Sequence, residues 1–146
     1  MPTSGDSLTM EDARVYAEAM LARPPLHQWL GVRIGDIDLQ TDTVTVHLPH
    51  RAELSRSPDR ADYHGGIIAT LIDIAGHACL AAKLRRRMPT IDMRIDYLRP
   101  AVETDLRAVA RVIRSGRTIG LCDIAVFDDS NRQVAAGRCV FSTREN

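Results

Sequence analysis

Between His64 and Leu84 the chain reads HGGIIATLIDIAGHACLAAKL, an almost wholly apolar run with one carboxylate, Asp73. A charge among apolar neighbours is costly unless something specific uses it. The flanking Leu71, Ile72, Ile74 and Ala75 offer it no partner. At helical spacing Gly66, Thr70, Asp73 and His77 fall at i, i+4, i+7 and i+11, one stripe of a helix surface. A carboxylate placed this way suits a general base or a nucleophile, and the residues alone leave both roles open. Asp73 and His77 have Asp-x-x-x-His spacing but no third ligand in view, so no metal site is expected. His77 is expected to orient Asp73 or to line a substrate pocket.

His64-Gly65-Gly66 opens the same run. A histidine just before a helix commonly caps it, and His64 is also the nearest candidate base. A helix N-terminus presents unpaired N–H groups, and the lack of Cβ at Gly65 and Gly66 lets a ligand approach them. Such a donor can hold a developing oxyanion. Gly65 and Asp73 are eight residues apart, about 12 Å along a helix at 1.5 Å per residue. One reacting carbonyl needs both its donor and its base at about 3 Å. If both groups serve it, they come from two copies of the helix running roughly antiparallel, at a two-fold interface.

The elements that position these groups follow from pattern. Thr9 is an N-cap for a helix over MEDARVYAEAMLAR, which Pro24-Pro25 stops. LHQWLGVRIGDIDLQ turns extended toward its end, and TVTVHLP alternates as a strand. Residues 50–63 are polar and read as a long loop. The apolar helix spans about 65–86, ended by Arg85-Arg86-Arg87, a solvated helix terminus. Four strand-like runs follow: TIDMRIDYL, DLRAVARVIR, TIGLCDIAVF and QVAAGRCVF. The last two are apolar on both faces, so a second subunit is expected to cover them. This order implies an α+β fold in which an antiparallel sheet wraps one long helix, with an extra helix at the N-terminus.

Length and composition agree with a single domain over residues 1–146, with 1–8 flexible. The chain is 45% hydrophobic and 26% charged, values of a globular protein. Zero formal net charge gives no global attraction to nucleic acid or anionic lipid, so neither is an expected partner. Cys79, Cys122 and Cys139 lie in apolar segments and read as buried thiols of a reducing compartment. The N-terminal residues have no signal-peptide core, and no apolar run is expected to reach the 18 or so residues that span a bilayer. A cytoplasmic location is expected.

HGGIIATLIDIAGHACLAA, TIDMRIDYLRPA and GRTIGLCDIAVFDDSNRQVAAGRCVF together resemble the hotdog-fold acyl-CoA thioesterases of the phenylacetate-degradation type. The motifs are HGG, an acid nine positions after the histidine, and D-x-x-x-x-Y-x-x-P-A at 92–101; the resemblance covers about residues 26–142. It implies a homodimer or a dimer of dimers, and hydrolysis of an acyl-CoA thioester. By the same resemblance Asp73 is the catalytic carboxylate, Gly65 the oxyanion donor from the other subunit, and Thr90 a hydroxyl beside the attacking water. Gly66 and His77 then face substrate, and Arg114, Gly116, Arg117 and Thr118 contact the coenzyme A phosphates. Relatives carry Asn or Gln where this chain has Pro58, and Ser57, Asp59 and Asp62 are the candidates to replace it. No cofactor is expected, because a thioester is already activated. The alternatives are a hotdog hydratase or dehydratase built on His64 and Asp73, and a non-catalytic acyl-CoA-binding protein.

Overall fold

The computed structural model describes residues 9–145; the flexibility expected of residues 1–8 lies outside them. Thr9 opens α1 (Met10–Ala22) as expected, its Oγ1 accepting the Asp12 N–H at 3.1 Å. Ala13, Ala17 and Leu21, one face at helical spacing, are buried, and the helix packs on α3 (Gly65–Leu84). The two prolines do end α1, but Pro25 also begins a second helix, α2 (Pro25–Leu30). Its fixed φ suits a first helical position, so a proline pair read only as a stop is here a stop and a start.

The sheet has six antiparallel strands: β1 (Arg33–Asp38), β2 (Thr43–Leu48), β5 (Thr90–Tyr97), β6 (Leu106–Ser115), β7 (Ile119–Phe127) and β8 (Gln133–Ser142). They run in the order β1-β2-β6-β7-β8-β5. The expected α+β hotdog arrangement follows, a long helix held in the curve of an antiparallel sheet. Alternation decides which side faces the helix. Val44, Val46 and Leu48 of β2, Cys122, Ile124 and Val126 of β7, and Phe141 of β8 are buried with Leu71, Ile72, Ala75 and Leu80 of α3 in one cluster. Each fully buried Leu, Ile or Val stabilises by roughly 1.5–3 kcal/mol.

Four expectations need correction. Residues 50–63 are not a bare loop. A 3-10 turn (Ala52–Leu54) leads into a two-stranded hairpin, β3 (Ser55–Ser57) and β4 (Arg60–Tyr63). Strands of three and four residues show no readable period; ion pairs of Asp62 with Arg56 and Arg60, and the Tyr63 hydroxyl donating to the Thr104 carbonyl at 2.7 Å, hold them. The outer faces of β7 and β8 are not uniformly apolar, since Arg138 donates to Asp123 through Nε and Nη2 at 2.6 and 2.8 Å. Finally, α3 ends at Leu84, with Arg85 left-handed at φ 52°. Its 20 residues are long and apolar enough to cross a membrane, contrary to expectation, but most of the helix is buried in the sheet.

Candidate active site

Asp73 sits in the middle of α3, half-buried, and its Oδ1 accepts a hydrogen bond from Thr90 Oγ1 at 2.7 Å. Thr90 is the first residue of β5. Strict alternation would point it outward with Asp92 and Arg94, away from the helix. The β5–β8 register shifts between Thr90 and Asp92, and such an irregularity re-aims a side chain. Here it turns the hydroxyl toward Asp73 Oδ1, and Oδ2 accepts no hydrogen bond among the described residues.

His77 lies one turn further along α3. Its Nε2 accepts the Met88 N–H at 3.3 Å, which leaves the proton of the neutral ring on Nδ1. The ring meets Phe141 edge-on at 6.1 Å. Burial pushes the His77 pKa below its usual range, and the Asp73 charge only partly opposes this. His77 is therefore a neutral residue that shares a cavity with Asp73 and Thr90. This cavity, about 450 Å³, lies between α1, α2 and α3. His27 of α2 also lines it, with Nδ1 hydrogen-bonded to the Leu21 carbonyl at 2.9 Å.

At the other end of α3, His64 is the N-cap: its Nδ1 accepts the Gly66 N–H at 2.8 Å. A Cβ on Gly66 would lie 3.0 Å from that nitrogen, so glycine keeps the cap in place. The Gly66 amide is thus occupied. The Gly65 N–H, one of those a helix leaves unpaired, finds no acceptor among the described residues. Tyr97, at the end of β5, donates its hydroxyl to the Gly65 carbonyl at 2.6 Å and so anchors the first turn. In the sequence Tyr97 is a motif position at the end of an apolar strand face, without a partner; a bond across 32 residues leaves no local signal. Sequence reasoning missed the α2 residues that wall the cavity, because α2 itself was not read.

Within one chain, then, Asp73, Thr90 and His77 come together, while His64, Gly65 and Gly66 lie about two turns away at the start of the same helix. Arg114, Gly116, Arg117 and Thr118 form a third group around a separate cavity of about 250 Å³. Their turn is closed by the Gly116 N–H donating to Ile119 O at 2.9 Å, and a Cβ at Gly116 would collide with that oxygen at the same distance. Ser57, Pro58 and Asp59 line another hollow, and the Asp62 carboxylate is held by Arg56, which lowers its pKa. None of these candidates to replace Asn or Gln shares the Asp73 cavity within one chain.

Residues 62–135 match the family model of the thioesterase superfamily. A protein of Halobacterium salinarum named as an esterase is 34% identical over 142 residues, spanning 90% of this chain and 92% of its own. The medium/long-chain acyl-CoA thioesterase YigI of Escherichia coli is 28% identical over 93 residues, 53% of this chain and 60% of that protein. Among solved structures, the E. coli PaaI protein from the phenylacetic acid degradation operon superposes with a TM-score of 0.83 at 25% identity. It covers 96% of this chain and 97% of its own.

Proposed function

This chain belongs to the thioesterase superfamily and is a thioester hydrolase, and from that premise we propose that it cleaves acyl-CoA thioesters at Asp73. One observation carries the reading: a carboxylate held by a hydroxyl, Asp73 by Thr90, on a buried apolar helix and opening into a cavity. Water adds to the thioester carbonyl, the C–S bond breaks, and the products are a carboxylic acid and the CoA thiol. Asp73 Oδ2 either takes the proton of the attacking water or attacks the carbonyl itself, giving an anhydride that water then opens. In a single turnover in heavy-oxygen water, label in the Asp73 carboxylate would establish attack by Asp73, with water opening the anhydride at the Asp73 carbonyl; general-base attack labels the product alone. The thiolate is a good leaving group, so the step asks nothing of a metal or cofactor.

The carbonyl oxygen, in this proposal, is received by the Gly65 N–H of a second subunit. The open Gly65 amide supports this, as does the distance of about 12 Å between Gly65 and Asp73 along one helix. The free edge of β5 supports a homodimer there, because Ile91, Tyr97 and Leu98 are 56%, 54% and 52% exposed on or beside it. Unpaired edge strands with apolar side chains seek a partner. A hydratase reading is disfavoured. It needs His64 as a base for the Asp73 site, yet the His64 Nδ1 lone pair is spent on capping α3. The test is release of free thiol from acyl-CoA substrates by the wild type and its loss in Asp73→Asn; full turnover in the folded variant would refute the assignment.

A further inference from the structure

We infer that the acyl group this protein accepts ends in a second carboxylate, bound by Arg23 and Arg87 at the rim of the Asp73 cavity. The inference rests on the acyl-CoA reading and adds the substrate class. Two arginines and two histidines line the cavity, against a single carboxylate, Asp73, which is bonded to Thr90. The arginine run at the end of α3 shows which cations are spoken for. Arg85 pairs with Asp12 at 3.6 Å and Arg86 with Glu145 at 2.6 Å. Arg87, the one that reaches the cavity, has no ion pair among the described residues, and neither has Arg23 at the α1–α2 junction. The Arg87 charge also adds to the burial that keeps His77 neutral, so it acts on the cavity interior.

The remaining wall is apolar, built from Ala17, Met20, Leu21, Ile74 and Ala78. An acyl chain can therefore lie along α3 from Asp73 toward Ala78, about 7.5 Å at 1.5 Å per residue. Both arginines are exposed at the rim, so a neutral alkyl or phenyl end would leave them to water and gain nothing from their charge. A terminal carboxylate supplies an acceptor, and guanidinium groups bind carboxylates through paired N–H donors. The phosphates of coenzyme A are the other anions available. The pantetheine arm separates them from the thioester by several helical turns, whereas both arginines line the same cavity as Asp73.

The experiment compares adipyl-CoA with hexanoyl-CoA, six-carbon acyl groups that differ in the terminal carboxylate. Wild type is expected to hydrolyse adipyl-CoA with kcat/KM higher by on the order of tenfold to a hundredfold, the scale of a hydrogen bond to a charged group. Arg23→Met and Arg87→Met should each lower that value about tenfold, mainly through KM, with the fall confined to adipyl-CoA. Equal kcat/KM for the two substrates in wild type overturns the inference. So does an equal fall for both substrates in the variants, which would assign the arginines to the phosphates, or no fall in either, which would leave them as solvated surface. Thiol release from neither thioester instead fails the acyl-CoA reading itself, and the inference with it.

Discussion

Replacing Thr90 with valine keeps the shape of the side chain and removes the hydroxyl that donates to Asp73 Oδ1 at 2.7 Å. Hydrogen bonds to charged groups contribute about 1.5–3 kcal/mol. Thr90 is exposed and water can take part of its place, so the lower end applies. At 1.36 kcal/mol per factor of ten, kcat should fall about tenfold. KM should hardly move, because the bond orients the carboxylate and does not touch the distal substrate. Asp73→Asn alone should lower kcat at least about a hundredfold. Thr90 acts only through Asp73, so the double variant should be no slower than Asp73→Asn. Independent roles would multiply to about a thousandfold, and a double-mutant cycle on thiol release distinguishes the two. Multiplying losses, or a fully active Thr90→Val, would refute the claim that Thr90 positions Asp73. Valine is well suited to a strand, so thermal unfolding of Thr90→Val should match wild type.

Mixing two inactive variants tests the shared site. Asp73→Ala combined with Gly65→Pro, which lacks the N–H, should recover about a quarter of wild-type activity when subunits exchange, since half the dimers are mixed and each has one intact site. His64 is already extended at φ −61° and ψ 132°, as a residue before proline must be, so the variant should fold; no recovery despite exchange would refute the shared site. Tyr97→Phe should lower kcat several-fold with KM unchanged, because the first turn of α3 loses its anchor; a lowered melting temperature with kcat intact would make Tyr97 merely structural. The pH dependence of stability should report His77. Burial holds its folded pKa below the usual 6.5, so above 6.5 both states are neutral and its contribution is complete. As pH falls below 6.5 the unfolded chain takes up the proton first, and stability declines until the folded pKa is passed. His77→Gln, which keeps an acceptor for the Met88 N–H but cannot be protonated, should flatten that slope in denaturant titrations from pH 8 to 5.

Local pattern determined much of this protein. Thr9 as a cap, α1, α3 and six strands were legible because apolar spacing records which face of each element meets the core. Asp73 stood out for the same reason, as a charge where that pattern calls for an apolar residue. The candidate site also became legible through its motifs, which resemble those of a known family. The tertiary structure decided everything that depends on register and approach. Alternation alone would send Thr90 outward, and only the irregularity against β8 turns it to Asp73. Tyr97 reads as a motif residue on an apolar strand face, and its partner is unknown until β5 brings it to the first turn of α3. The helix α2 and the hairpin β3–β4 are too short to show a period, yet α2 walls the cavity that holds Asp73. A period records the face of one element; a hydrogen bond between distant residues depends on how two elements are set against each other, and that is settled only when the whole core packs.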